Sequence, residues 1–542
     1  MKKYGILLIF MLSIIVNIYF GFQKSGFHED EYYTYFSSNR SAGLYQPDRE
    51  WQDRQTILDE FVVKPGEGFN YGLVKLVQSW DVHPPLYYMI FHTICSLVPG
   101  VFTKWTGVIT NLLAFALAFW VMHLICKRLE ASFCVEAIAL LFYGLNPQTI
   151  SSNMLIRMYA WLSLWVALCA YFHIRMIQEY SVYDDKDYAG KRDMKSTIGY
   201  YTSYLLPIMV TSYLGFLTQY FYIFFFVSIG IAFTAWVVFG KKNVRFGIIY
   251  VASCALSLGL AVITYPASLH HILGGYRGNE AAGSLFDIGN TVMRLSFFAG
   301  LLNDFVFAGL FLVLLAAILI GLVIGIAQKR RGIFTPDFVI LIIGTIGYFL
   351  ITTKTALLVG AASNRYEMPC YGLIILITAI LMQRIWGLED TQVKENSINR
   401  YSGKKATIIA GVLIGLFTVA LLIKGIFFDN RVLFLYPEDT AKIQYAAYNH
   451  DQVAVVMFNP ATPHNVWRLT DELLQYDKVF YMDVENSYNI EDSEIINASK
   501  IILYVADDDF QDKAITDLKE ATRKTQIMPL FTEDMWNSYE LE

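Results

Sequence analysis

Charge is scarce in this chain. Only 16% of its 542 residues are Asp, Glu, Lys or Arg, against about 25% in a soluble protein. That shortage excludes an ordinary soluble globule. The net charge of −5 provides no basic field of the kind that nucleic-acid binding requires, so no nucleic acid is expected as a partner. Cysteine is sparse too. Cys95, Cys126, Cys134, Cys169, Cys254 and Cys370 show no CxxC spacing and all fall in apolar segments. They read as small core hydrophobes rather than metal ligands or disulfide partners. Internal repeats and low-complexity tracts are missing. The apolar run that follows Met1-Lys2-Lys3 and ends at Phe22 lacks a small-x-small cleavage site, so it reads as an uncleaved first span.

Apolar residues take the place of charge. The chain is 55% hydrophobic and 16% aromatic, with a mean hydropathy of +0.41. Runs of about 17–25 apolar residues, long enough to cross the hydrocarbon core, recur along its first four fifths. Spans are expected at 5–22, 105–126, 134–150, 154–175, 198–216, 221–239, 246–265, 304–327, 337–356, 368–386 and 406–428. The run 86–98 is shorter and follows two prolines, so it is expected to be interfacial or re-entrant.

Charge placement supports this count. With eleven spans and the N-terminus inside, the cytoplasmic segments carry Lys2/Lys3, Lys127/Arg128, Arg175 to Lys195, Lys241/Lys242/Arg245, Lys329/Arg330/Arg331 and Arg384 to Lys405. The short outer turns at 151–153 and 217–220 carry no Lys or Arg. This is the positive-inside pattern, and counting 86–98 as a span would reverse it at residues 127 and 329.

The expected fold class is therefore an α-helical polytopic membrane protein of about eleven transmembrane helices with a cytoplasmic N-terminus. Residues 1–428 form the membrane domain, whose outer segments are the first loop, 23–104, and the later loop, 266–303. The tail 429–542 is also outside. Its apolar runs at 453–458, 478–482 and 501–505 read as strands, alternating with helical stretches near 464–476 and 511–524. That alternation predicts a small α/β domain. Asp507-Asp508-Asp509 reads as a solvated helix start, where acid complements the dipole.

Two acidic clusters stand out. His28-Glu29-Asp30-Glu31 follows the first span and opens an aromatic helix start, Tyr32-Tyr33-Thr34-Tyr35. Capping accounts for one carboxylate at such a place, less readily for three in a row. Asp81-Val82-His83-Pro84-Pro85-Leu86-Tyr87-Tyr88 is the more specific motif. Its two prolines start a helix and fix the approach of the residues before it, aiming Asp81 and His83 at whatever the first loop encloses. On the outer ends of later spans sit Arg157 and Tyr159, Gln219, Lys354, and Arg365-Tyr366 in Ser363-Asn-Arg-Tyr-Glu-Met-Pro369. Cations there run against the inside-positive bias, which points to an anionic partner. Arginine presents a planar fork suited to phosphate.

In its order of motifs the chain resembles the C-type glycosyltransferase superfamily over about residues 1–390. Asp-Glu follows span one, then come Asp-x-His-Pro-Pro-Leu-Tyr-Tyr, Arg-x-Tyr near span four and Arg-Tyr-x-x-Pro before a late span. The protein O-mannosyltransferase and aminoarabinose-transferase-like group is the branch most resembled. The resemblance implies a polyprenyl-phosphate sugar donor, transfer on the non-cytoplasmic side, a catalytic Asp at Asp30, and a second acidic residue beside His-Pro-Pro at Asp81. Relatives often carry His where Gln219 stands, so this chain departs from the pattern there.

The expected activity is an inverting sugar transfer to an acceptor hydroxyl on a lipid, protein or surface polymer. Asp30 acts as general base with Glu31 beside it, and Asp81 and His83 orient donor or acceptor, or with Asp30 hold a divalent cation. Arg365, Lys354 and Arg157 take the donor phosphate, and Tyr159, Gln219 and Tyr366 line the substrate. Rival readings are a lipid or lipid-sugar flippase and a sensor whose tail binds an outside ligand. Flippases place their polar groups near the bilayer midplane, often on repeated halves. Here the ionisable residues lie at the outer ends.

Overall fold

Long apolar helices dominate the computed structural model, which describes residues 2–40, 46–180, 194–387 and 414–542. Among these residues seven helices are long and apolar enough to cross a membrane, or nine if two bent pairs each count as one span. The eleven expected spans differ from this set in particular places. The span at 134–150 is a bent pair, Phe133–Leu145 and Pro147–Met154, with a 44° angle between its halves. Proline, which cannot continue a helix's hydrogen bonds, sits at the joint. The span at 198–216 lies in a continuous helix, Met194–Thr218, with Pro207 inside it. The span at 304–327 is reduced to Phe311–Ala327, and only Ile414–Phe428 of the last is described. Residues 406–413, and most of the basic segments Arg175 to Lys195 and Arg384 to Lys405, lie outside the described residues. The run 86–98 forms the 12-residue helix Leu86–Leu97. At 1.5 Å per residue it is too short for the ~30 Å hydrocarbon core.

The chain divides into two compact units. The first is Met1–Gly21, Gln78–Tyr87 and Gly107–Leu433 and holds most of the apolar helices. The second is Phe22–Val77, Tyr88–Thr106 and Phe434–Glu542. The division along the chain falls between Leu433 and Phe434, and most of the first loop clusters with the tail.

The second unit is built on a six-stranded sheet of order β1-β3-β2-β4-β6-β5. Its strands are β1 (Glu50–Asp53), β2 (Val453–Phe458), β3 (Lys478–Asp483), β4 (Ile501–Ala506), β5 (Ile527–Glu533) and β6 (Trp536–Leu541). The three central strands are parallel, with Ala454 opposite Val479 and Val453 opposite Ile501. They read as unbroken apolar runs because both faces are covered. Ala454, Val456, Tyr481, Ile502 and Tyr504 enter one core, and Val455, Met457, Phe480, Leu503 and Val505 the other. Strand β1 comes from the first loop and pairs antiparallel at the edge, Trp51 opposite Phe480. Asp508 behaves as a helix-start residue, accepting from the Phe510 amide and from the Asn459 side chain.

Candidate active site

In the second unit, the cluster 28–31 opens the helix Glu29–Asn39. His28 caps it. The ring Nδ1 accepts from the Asp30 amide at 3.1 Å, while the His28 amide donates back to Glu31 Oε2 at 2.5 Å. This reciprocal capping box satisfies two helix-start donors. Glu31 is fully buried, and its carboxylate also pairs with the equally buried Lys24 at 2.9 Å. Lys24 in turn donates to the Phe434 carbonyl. A buried carboxylate with a buried ammonium partner is a structural brace. Glu29 pairs with Arg468. The three acids therefore sit in three settings. Asp30 keeps 28% of its side chain exposed, with a carboxylate oxygen 3.5 Å from His28 Nδ1.

In the first unit, the Asp-x-His motif forms a short chain of polar contacts. Asp81 Oδ2 lies 2.9 Å from His83 Nδ1, and His83 Nε2 lies 3.2 Å from an Arg157 terminal nitrogen. A guanidinium only donates, so Nε2 must accept and the ring proton sits on Nδ1, donated to Asp81. Desolvation pushes the Asp81 carboxyl up, but His83 and Arg157 more than reverse this and hold it below the usual carboxylate range. Arg157 occupies the break between the helices Pro147–Met154 and Tyr159–Gln178. Asn111 satisfies the broken backbone by donating to the Leu155 carbonyl at 2.6 Å, and Asn153 is braced by Asn17 at 2.8 Å. The backbone groups freed by the break are thus met by protein side chains.

Arg365 stands one residue into the helix Asn364–Trp386 and is buried. Its guanidinium lies over the Tyr366 ring, 5.1 Å from the centroid. Tyr366 makes an edge contact with Tyr159 at 5.9 Å. The break that holds Arg157 and the first turn that holds Arg365 thus adjoin through a tyrosine pair. The Asn364 amide is already bonded to the preceding turn Gly360–Ser363, so what suits this corner to an anion is the two planar guanidinium forks.

Lys354 has a different placement from these arginines. Its ammonium donates to the Asp287 carbonyl at 2.6 Å, to Asn290 and to Thr291 at 3.0 Å. An ammonium has three donors, and all three clamp the turn at 287–291. Gln219 is buried, and its side-chain amide makes no hydrogen bond among the described residues.

Several residues near the motif escaped the sequence reading. His271, from the helix Ala267–Leu273, is buried and meets Tyr220 at 2.9 Å and the Ser79 carbonyl at 3.4 Å. A carbonyl only accepts, so Nε2 carries the proton and Nδ1 accepts from Tyr220. Tyr265 donates to the His83 carbonyl at 3.5 Å. The His270-His271 doublet in the loop 266–303 was the one available signal for this neighbourhood. As for a divalent cation, no three His, Cys, Asp or Glu side chains form a metal-holding group among the described residues. Asp81 and His83 alone fall short of the six to eight ligands of calcium or the four of zinc, so no step is derived through a metal.

No family profile and no characterised protein sequence matches the chain. Among solved structures it is similar to ArnT from Cupriavidus metallidurans bound to undecaprenyl phosphate. The TM-score is 0.51 at 12% identity, covering 98% of this chain and 97% of that one. The archaeal oligosaccharyltransferase AglB from Archaeoglobus fulgidus, in complex with an inhibitory peptide and a dolichol-phosphate, gives 0.47 at 11% identity. It covers 93% of this chain and 69% of that one. The likeness to ArnT shows the fold, which is the GT-C membrane fold.

Proposed function

We propose that this chain is a membrane glycosyltransferase that moves a sugar from a polyprenyl-phosphate donor to an acceptor hydroxyl on the outer face of the membrane, with inversion. The acceptor oxygen attacks the anomeric carbon as the bond from that carbon to the phosphate oxygen breaks. Asp30 takes the hydroxyl proton, and the polyprenyl phosphate departs with the electron pair. A phosphate is already a good leaving anion, so the chemistry needs one base and no general acid. Arg365 and Arg157 carry the developing charge. Asp81, held ionised, fixes His83 and through it Arg157.

The observation that carries this reading is the edge contact of Tyr159 and Tyr366, each within two residues of a buried arginine, Arg157 or Arg365. Two buried arginines on either side of one tyrosine pair suit an anion. The fold, seen also in a protein bound to undecaprenyl phosphate, supports a lipid phosphate as that anion. Lys354 is better suited to bracing the 287–291 turn than to binding phosphate, and Gln219 to lining the substrate.

The test is transfer by the purified, reconstituted protein from a panel of undecaprenyl-phosphate sugars to lipid, peptide and polysaccharide acceptors, read by mass spectrometry. Product from any donor that disappears in Asp30→Asn supports the reading. Product that persists in Asp30→Asn removes Asp30 as base. Flux of the lipid-linked sugar across the bilayer without transfer would favour the flippase instead.

A further inference from the structure

The second unit contains a contact whose regularity exceeds what packing alone requires. Along the helix Glu29–Asn39, residues Glu29, Tyr32, Tyr33 and Phe36 follow the i, i+3, i+4, i+7 spacing of a single helix face. Each meets a side chain from the tail segment 463–473. Glu29 pairs with Arg468, and Tyr32 donates to Asp471 at 3.3 Å. Tyr33 lies 5.2 Å from the Trp467 ring and 5.6 Å from His464. Phe36 lies 4.5 Å from Trp467. The tail residues His464, Trp467 and Arg468 lie on the 3₁₀ turn Pro463–Leu469 and Asp471 on the α-helical turn Thr470–Leu473 that follows it, so one helix face is met by four consecutive contacts of the tail. Trp467 is itself anchored, donating from its indole nitrogen to Glu60 at 2.6 Å. At the start of the helix, Lys24 reaches the Phe434 carbonyl at 2.9 Å, and the Ser25 amide reaches Leu435 at 2.7 Å.

Polar contacts at positions 29 and 32, with an aromatic one at 36, leave a helix little rotation about its axis. Asp30 is about 100° round from Glu29, on the flank of the gripped face, and remains partly exposed. We propose that Arg468 and Asp471 of the tail are positioning residues that set the rotation of the helix Glu29–Asn39 and thereby aim the Asp30 carboxylate. This rests on the reading of Asp30 as the base. It gives the tail a task in the reaction without placing any tail group on the substrate. A base held off line loses rate steeply, since misplacement by about 1 Å costs on the order of 10²-fold.

The full-length protein carrying Asp30→Cys provides a readout that needs no substrate. The rate at which a small charged methanethiosulfonate labels that thiol is followed at the peptide level, together with amide hydrogen exchange across 29–39. Adding Arg468→Ala or Asp471→Asn is expected to change the labelling rate severalfold while exchange protection of the helix is kept. Exchanging the pair, Glu29→Arg with Arg468→Glu, is expected to restore the rate. An unchanged rate in both single variants overturns the inference. So does loss of amide protection, which would make the contact a folding brace rather than an aim.

Turnover of the undecaprenyl-phosphate panel then adds a second reading with Asp30 intact. Arg468→Ala should lower kcat about tenfold or more with undecaprenyl phosphate affinity unchanged, and Arg468→Lys should recover part of it. Full turnover in Asp30→Asn would defeat the base assignment alone, leaving the labelling result to decide the geometry.

Discussion

The two histidine–acid motifs use the same residue types to opposite ends. In 28–31 the histidine gives its ring nitrogen to a backbone amide, and the neighbouring Glu31 is sealed against Lys24. Asp30 is left with solvent access and flanked by residues whose contacts hold the helix. In 81–83 the histidine is turned on the carboxylate itself and relays it to Arg157. One motif presents a carboxylate, and the other consumes one to fix an arginine. The lesson is that an acid beside a histidine says little until it is known which atom the ring addresses.

Substitutions can break this contrast. The largest effect is expected from Asp30→Asn, which keeps the shape but cannot take a proton. Turnover should fall about 10²–10⁴-fold while undecaprenyl phosphate still binds, and steady-state kinetics with a binding titration would separate the two. Near wild-type turnover would end the distinction between the motifs. Arg365→Ala should weaken undecaprenyl phosphate binding. Loss of a charge-assisted bond costs roughly 1.5–3 kcal/mol, which is about tenfold or more in affinity. Lysine should restore only part of it, lacking the planar fork. Unchanged affinity by titration would move the phosphate elsewhere.

A smaller effect is expected from His83→Gln. Desolvation then acts on Asp81 with less to oppose it, so the carboxyl rises and a greater share of it is protonated at mildly acidic pH. The acid limb of the activity profile should move to higher pH. A limb that does not move would mean the state of Asp81 is immaterial.

The smallest effect concerns stability. Burial, and then Asp439, pushes the Asp471 carboxyl up to about 7, against an opposing bond from Tyr32. Nearby charges on the surrounding elements are Lys24, Glu31 and Glu472. An acid whose folded value is raised contributes stability that is present at low pH and lost as pH climbs through the folded value. Thermal unfolding of the wild type should therefore weaken between about pH 4 and pH 7, and Asp471→Asn should flatten that slope. An equal slope in both proteins would assign the dependence to Glu472 or Glu60 instead.

Much of the architecture was legible because its signals are local. Apolar runs of spanning length and the three apolar strands of the tail announce themselves within twenty residues, and those strands lie at 453–458, 478–483 and 501–506. Strand β1 gave no such signal. Glu50-Trp51-Gln52-Asp53 is short and polar, and it is a strand only because β3 offers it an edge. The terminal hairpin of β5 and β6 was missed for a related reason, as its residues are mixed in polarity, with no buried residue in β5 and buried and half-buried ones mixed in β6. At the site, residue types placed Asp30 at a helix start, Asp81 just before the prolines that open another helix, and the arginines at the ends of spans. They could not reveal that Lys354 would be consumed by a turn at 287–291, nor that Glu31 would be sealed by a lysine seven residues before it. Those outcomes depend on which partner the tertiary structure brings near, and spacing along the chain does not encode that.

The edge strand has a consequence for how the protein is made. The Trp51 indole donates to Asp492, 441 residues further along the chain, so the first loop leaves the ribosome long before its partners exist. At about 5–20 residues per second, the wait is roughly 20–90 s, during which every intervening helix must be inserted. Throughout that interval the helix bearing Asp30 has no Arg468, Trp467 or Asp471 to grip it. The gripping of that helix is therefore a late event in biogenesis. A ribosome that stops before residue 468 leaves a membrane-inserted product with its acidic helix ungripped, and quality control has a long window in which to find it.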